Sequence, residues 1–377
     1  MNKFWIVAMA GALAACGGGA GDSATTTPAA KPSSVPTASV TATVSPTAVA
    51  SPTPSAAPTA SGQITATPTK QPTATPLTAT ATPVLATPTS RPTVTPTAAG
   101  GLYQRQPVVA NCDAGELNTA ERNKVLDKLN AVRARHGLLP VTYDASDDAA
   151  SAAAALYMVA NKGLTHTPSS SGLCYSSEAA TMAGSSNLYM SYGYNTETSP
   201  STEAIVAYLI DDNVASLGHR RWILSPFLAQ ITFGRVDGIP SGGSQKYMAS
   251  TLRVMGDERK SLSGMNQDFV AYPQGAYPAS EFKTDWYLSF AAIASTSNAW
   301  DSGDKQVNYG GATITVTGGG STLIVSGVSA NYDGYGMPNH LQWKVAGLKT
   351  GVTYTVKIAG VSVNGVQRDY SYTFSLS

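Results

Sequence analysis

The chain has 377 residues, a formal net charge of +1 and only 12% charged residues. So even a balance gives no sign of the basic surface that a polyanion such as nucleic acid would need, and nucleic acid is not expected as a partner. Three cysteines and four histidines leave little material for a dedicated metal cage, and the low charge content marks part of the chain as unlike a folded domain.

Lys3 gives the N-terminus a small positive start. Phe4 to Ala15 is apolar but shorter than the roughly 20 residues a membrane-spanning helix needs. Leu13-Ala14-Ala15-Cys16 then sets small residues before a cysteine. An ordinary secretory leader with a chance cysteine would read the same way. The segment resembles the bacterial lipobox, in which the cysteine is acylated and becomes the mature N-terminus. That resemblance implies a lipoprotein signal peptide over residues 1–16, lipidation at Cys16 and a membrane partner reached through the lipid anchor. It places the protein in the bacterial cell envelope, at the outer membrane or cell surface, because Gly17 rather than aspartate follows the cysteine. Several acyl chains anchor stably where one would not.

Residues 17–105 are mostly Thr, Pro, Ala and Ser, with Asp22, Lys31, Lys70 and Arg91 as isolated charges. Such a stretch buries too little apolar surface to offset its ordering entropy, so a long disordered linker is expected. Frequent proline biases it toward polyproline II, with an upper reach on the order of 250 Å at about 3.1 Å per residue.

Residues 106–257 form the first expected domain. Asn118 followed by Glu121 suits a capping box, and Val125, Leu129 and Val132 recur at helical spacing until Gly137 and Pro140 end the run. A second helix is expected over roughly Asp147 to Asn161, alanine-rich from Ala149 to Ala155 and closed by Gly163. Gly163-Leu164-Thr165-His166-Thr167-Pro168 follows, then Ser176-Ser177-Glu178-Ala179-Ala180. Ser199-Pro200 opens another helix, with Ser as cap and Pro in the first turn. Glu203 shares a face of that helix with Val206, Ala207 and Ile210, and a glutamate in an apolar stripe needs a partner. Asp211 and Asp212, at the helix end, read as solvated. The chain then reaches Leu217-Gly218-His219-Arg220-Arg221-Trp222-Ile223-Leu224-Ser225-Pro226. Glycine permits a tight turn before the histidine, the Trp-Ile-Leu run must be buried, and proline forbids a continuing helix. His136, at a helix C-terminus where a cation favours the dipole, reads as structural.

This decapeptide resembles the signature of the CAP family: cysteine-rich secretory proteins, antigen 5 and pathogenesis-related proteins, also called SCP-like domains. His166 stands where the family has its first histidine, and Glu178 where it has Gly-Glu-Asn-Ile-Ala, without the flanking glycine and asparagine. Glu203 stands where a second cavity glutamate falls, and His219 in the Gly-His-Arg segment. The resemblance implies an α+β fold, a three-layer α-β-α sandwich with central strands at Ile231–Gly234 and Tyr247–Leu252. It implies a cleft holding His166, Glu178, Glu203 and His219, with the two histidines able to bind a divalent cation such as Zn weakly. Two histidines are fewer than the three protein ligands of a tight catalytic zinc. Cys112 and Cys174 are the thiols left after the anchor. In an oxidising compartment they can pair across about 60 residues; the alternative is two free buried cysteines.

Three functions remain open at this level. The first is a non-catalytic module binding a lipid, sterol or envelope glycan. The second is a metal-assisted hydrolase or protease with Glu178 or Glu203 as base, although no Gly-X-Ser-X-Gly, His-Glu-X-X-His or Cys-X-X-Cys supports it. The third is adhesion through the C-terminal domain.

Residues 262–377 alternate with period two, as in Thr313–Thr317, Tyr354–Ile358 and Tyr370–Phe374. Glycine turns separate the runs, so an all-β sandwich is expected, resembling an immunoglobulin- or fibronectin-like module. Trp286, Trp300 and Trp343 are either core anchors or a carbohydrate-stacking face. His340 reads as a solvated loop residue.

Overall fold

The computed structural model describes residues 3–7, 101–194, 198–256 and 258–377. Cys16 and positions 17–100 of the expected linker lie outside the described residues.

The first half carries strands β1 (Lys3–Val7), β2 (Tyr103–Arg105), β3 (Glu116–Leu117), β4 (Thr142–Tyr143), β5 (Ser186–Gly193), β6 (Gln230–Gly238) and β7 (Lys246–Arg253). Its helices are α1 (Thr119–Arg135), α2 (Asp148–Ala160), α3 (Ser177–Gly184), α4 (Glu203–Ile210) and α5 (Gly218–Ile223). The main sheet runs β1-β5-β7-β6-β4, antiparallel except for the β4–β6 pair; β1 falls within the expected signal peptide, so a mature chain starting at Cys16 keeps β5-β7-β6-β4. Successive strand side chains point to opposite faces, and here each face has its own core. Leu188, Met190, Val236 and Ala249 pack with α2 and α3. Tyr189, Phe233, Met248 and Leu252 pack with α1, α4 and α5. The expected α-β-α layering follows from this alternation.

Small residues set how closely α2 sits on the sheet. A Cβ on Gly234 would lie 2.2 Å from the carbonyl carbon of Ser151. Ser151 Oγ in turn meets Thr251 Oγ1 at 2.7 Å. The alanine-rich helix and a glycine in β6 therefore let two backbones approach to a distance no side chain permits.

Three local expectations change. Asn118 caps α1, its Oδ1 accepting the Ala120 N–H at 3.0 Å, but Glu121 is buried and takes Lys124 Nζ at 2.8 Å instead of closing the box. Lys162, not Gly163, takes the left-handed backbone after α2, with φ 57°. The next helix starts at Glu203, three residues after Pro200, whose carbonyl accepts the Glu203 N–H at 3.0 Å.

The second half carries β8 (Phe269–Tyr272), β9 (Gly275–Tyr277), β10 (Leu288–Ala292), β11 (Val307–Asn308), β12 (Thr313–Gly318), β13 (Ser321–Leu323), β14 (Val325–Asn331), β15 (His340–Val345), β16 (Thr353–Val363) and β17 (Val366–Leu376). They form one sheet of order β14-β15-β10-β8 and another of order β13-β12-β16-β17-β9, with β11 on β16. The sheets face each other: Phe290 of β10 and Phe269 of β8 meet Tyr370 of β17 at 4.9 and 5.7 Å between ring centres.

The chain passes from one half to the other near residue 257, but the core does not stop there. Val125, Leu129 and Phe233 belong to the same buried cluster as Phe290, Trp343 and Phe374. Polar anchors cross the junction as well. Glu281 meets Lys128 Nζ at 2.6 Å and also bonds Arg135. His136 meets the Ala271 carbonyl oxygen at 2.7 Å and Tyr277 Oη at 3.1 Å. This corrects the expected dipole role. Burial, against the Ala271 hydrogen bond, pushes the His136 pKa down to about 3, so the ring is neutral and serves as a bridge rather than a cation. His340 is corrected too: it opens β15 and is 3% exposed. The tryptophans divide. Trp343 is fully buried, Trp286 half-buried, and Trp300 is 50% exposed.

Candidate functional site

α5 places its residues in two directions. Leu217, not Gly218, takes the left-handed turn before it, with φ 50°. The helix ends at Ile223, ahead of Pro226, as the sequence leads one to expect. Arg133 of α1 secures that end, its Nη1 donating to the carbonyls of Ile223 and Ser225 at 2.8 and 2.9 Å.

His219 points back toward α4 and is 2% exposed. Its ring stacks on Tyr208, 5.3 Å between centres and 19° between planes. Its Nδ1 meets Asp211 Oδ1 at 2.8 Å. Asp211 Oδ2 accepts the Arg220 backbone N–H at 3.1 Å, and the Asp211 carbonyl accepts the Trp286 indole N–H at 3.0 Å. The cage closes through β5: Tyr208 Oη donates to the Asn187 carbonyl, and Asn187 Nδ2 donates to the His219 carbonyl, each at 3.1 Å. Burial holds the Tyr208 hydroxyl well above its ordinary pKa.

Asp211 is the residue that sequence reasoning missed. Expected in solvent, it is fully buried at the C-terminus of α4 with φ 53°. Short Asp and Asn side chains tolerate that left-handed position, and this is the one signal that could have singled it out. Asp212 does behave as a half-exposed surface group, paired to Lys283 Nζ at 2.8 Å.

The other expected site residues lie on different elements. His166 is half-buried, its Nδ1 2.9 Å from the Ala183 carbonyl oxygen at the end of α3. Glu178 is exposed in the first turn of α3. Its own backbone N–H, then the Ser176 and Ser177 hydroxyls, hold its carboxyl below the usual range. It borders a cleft of about 580 Å³ whose apolar residues are Ala150, Met182 and Met255 and whose charged ones include Asp147 and Arg253. Glu203 does share a face with Val206, Ala207 and Ile210, but that face is half-buried; the buried stripe is Ala204, Ile205, Tyr208 and Leu209. Among the described residues, no group of three or more His, Cys, Asp or Glu is gathered where it could hold a metal ion. Among the described residues, the structure brings Asp211 to His219. Cys112 and Cys174 are joined in a disulfide.

The two arginines after His219 face the β-sandwich. Arg220, buried, donates to the carbonyls of Leu209, Ile210 and Tyr287 at 2.6, 2.6 and 2.9 Å and stacks over the Tyr272 ring at 4.0 Å. Arg221 donates to Asn331 Oδ1 at 2.5 Å and the Met337 carbonyl at 2.9 Å, and also bonds the Asp333 carbonyl. Gly336 makes room for this contact: its φ is +68°, and a Cβ there would lie 2.5 Å from the Arg221 carbonyl oxygen.

Residues 126–242 match the family model described as CAP, the cysteine-rich secretory protein family. A search of curated proteins returned no match. The matched segment holds α2 to α5, the strands β5 and β6 between and behind them, and all four of His166, Glu178, Glu203 and His219. Residues 126–242 are thus a CAP domain, the part of this chain that matches the cysteine-rich secretory protein family.

Proposed function

We propose that the protein is a lipid-anchored bacterial envelope protein whose CAP domain binds a lipid, sterol or envelope glycan without turning it over. The observation that carries this reading is the cleft beside Glu178, with apolar Ala150, Met182 and Met255 and charged Asp147 and Arg253 along it. An apolar pocket with a few placed polar groups is the usual form of a small-molecule site. His219 does not border this cleft; it stacks on Tyr208. The test is extraction of the purified full chain followed by mass spectrometry, then titration with a fluorescent fatty acid, a fluorescent sterol and soluble peptidoglycan fragments. Thr181 is exposed and borders the cleft. Thr181→Trp is expected to weaken binding of the retained probe roughly tenfold or more, about 1.4 kcal/mol. Unchanged affinity would remove the cleft from the proposal.

A weakly held divalent cation belongs to the same reading. His166 and His219 are both fixed through Nδ1, by a carbonyl and a carboxylate, as the ligating histidines of metal sites are. Zn²⁺ is expected to raise the melting temperature of the wild type and to leave His166→Ala unmoved. Equal shifts in both proteins would place the ion elsewhere.

The hydrolase reading gains one specific support, since an imidazole held by a carboxylate is the general-base unit of many hydrolases. It moves the base from Glu178 or Glu203 to His219 with Asp211. Turnover of a peptide or glycan library that disappears in His219→Ala would establish it over simple binding.

A further inference from the structure

Among the described residues of the first half, five large apolar side chains stand exposed: Val108, Leu173, Tyr175, Tyr194 and Ile239. Exposed apolar residues scattered singly need no explanation, but a cluster of them marks an interaction surface. These five gather at one end of the main sheet. The strand registers place two of them. Gly193 of β5 and Gly238 of β6 pair with Lys246 and Tyr247 at the start of β7. Tyr194 and Ile239 come next on their strands, so both leave the sheet at that end, on either side of β7. Beside them Tyr192 stacks on Tyr247, 5.0 Å between ring centres.

Close contacts bring in the other three. A Cβ on Gly238 would lie 2.3 Å from Val109 Cγ2, which seats Val108 beside the turn at Ile239. The Val109 carbonyl oxygen lies 3.8 Å from Cys174 Sγ, and Cys174 carries Leu173 and Tyr175 on either side of its disulfide. Asn161, at the C-terminus of α2, holds Leu173 by both backbone groups: its Oδ1 accepts the N–H at 3.0 Å and its Nδ2 donates to the carbonyl at 2.9 Å. The Tyr157 ring of α2 meets that of Tyr175 edge-on, 6.5 Å between centres. A disulfide, a helix end and a ring contact thus fix these apolar groups without burying them. A surface fixed in advance loses little freedom when its partner arrives.

We infer that this end of the CAP domain docks on the surface of a lipid bilayer with anionic head groups. Residues 161–175, 192–194 and 239–246 contain no Asp or Glu, and Lys162 among them is exposed. Asp113, the acid next to Cys112, is already paired with Arg105. Lipid phosphates therefore meet no free carboxylate in these segments. Tyrosine, apolar in its ring and polar at its tip, suits the boundary between head groups and hydrocarbon, and leucine and isoleucine reach below it. The linker arrives here too: Tyr103, on the first strand after it, bonds Asp237, the residue before Gly238. That last support rests on the reading of Cys16 as a lipid anchor; the exposed face does not. The ligand cleft is a separate site, for it borders Arg253 at the far end of β7.

Hydrogen exchange of the full chain, with and without vesicles of phosphatidylcholine and phosphatidylglycerol, tests the docking. Backbone exchange over residues 164–175 and 239–246 is expected to slow roughly fivefold or more on the vesicles, while that of β12 and β13 stays the same. Leu173→Glu combined with Ile239→Glu, both at exposed positions, is expected to abolish the slowing. Ile324→Glu combined with Val366→Glu, exposed residues of the sandwich, is expected to keep it. The mass of the N-terminal peptide reports acylation separately. Unchanged exchange in both segments overturns the docking, even where the chain floats with the vesicles through its N-terminus, and leaves the anchor standing. Slowing that appears without vesicles and grows with protein concentration overturns it in favour of contact between two copies of the chain.

Discussion

Asp211 Oδ1 lies 2.8 Å from His219 Nδ1, with the carboxylate fully buried and the imidazole 2% exposed. The bond joins the end of α4 to α5 and fixes the histidine of the family signature from below. Removing the carboxylate strands both the imidazole and the Arg220 N–H in the interior. Asp211→Ala is therefore expected to lower unfolding stability by about 3–5 kcal/mol, the cost of breaking a buried pair from one side. Asp212→Ala, which removes a surface ion pair, is expected to change it by less than about 1 kcal/mol. Urea unfolding of the two variants side by side checks the contrast; similar losses would mean that the buried pair is not special.

His136 makes stability depend on pH. Its folded pKa, pushed down to about 3 mainly by burial, lies below the ordinary value of 6.5. Between those limits the unfolded chain binds a proton that the folded one does not, so stability rises with pH through this window. Its contribution is fully present above about pH 6.5 and is lost as the pH falls toward 3, at up to about 1.4 kcal/mol per pH unit. The positive neighbours Arg135, Arg220 and Arg133 act in the same direction, and His340, pushed down by burial, adds a second proton of the same sign. Denaturant midpoints measured from pH 7 to pH 4 in wild type and His136→Phe are expected to show a shallower slope in the variant by about one proton.

The shared interior makes a calorimetric prediction. Because one buried cluster contains Val125 and Phe374 alike, the two halves are expected to unfold in a single cooperative transition. Arg221→Ala is expected to move that one transition down rather than split it. Ending the chain after Met255 is expected to give insoluble protein, since it uncovers Arg220 and Arg221 along with their apolar surroundings. Two resolved transitions in the wild type would show the halves to be independent.

Gly234→Ala tests the seating of α2. The added methyl would sit 2.2 Å from the Ser151 carbonyl carbon, which is backbone and cannot turn aside. A loss of about 3 kcal/mol is expected, the upper range for overpacking. Gly242→Ala, where nothing lies within 4 Å of the new carbon, differs in carrying only the strain of its φ of +68°, about 1 kcal/mol.

Much of both halves was legible because the cues are local. The alanines of α2, the apolar spacing of α1 and the period-two runs of β12, β16 and β17 each declare their element within a few residues, and the two cysteines left after Cys16 paired as they could. What failed to read was everything decided at the junction. β10 and β15 lie between the other sheet and the CAP helices, so nearly all of their residues are buried and period two vanishes. His340 consequently passed for a loop residue. Asp211 passed for a solvated helix end because short acids usually are. On α4 the helical period was right but its phase was not, for the core takes Tyr208 and Leu209 and leaves the Glu203 face half-open.

The two guanidinium groups that follow His219 give the signature a second meaning. A chain that kept both arginines but lost its last hundred or so residues would be left with a pair of cations over bare hydrocarbon, an outcome selection should remove quickly. Arginine at both positions, together with a downstream Tyr-Gly-Met-Pro stretch like that at Tyr335–Pro338, can therefore be used to pick out from genomes the sequences built to this bipartite plan.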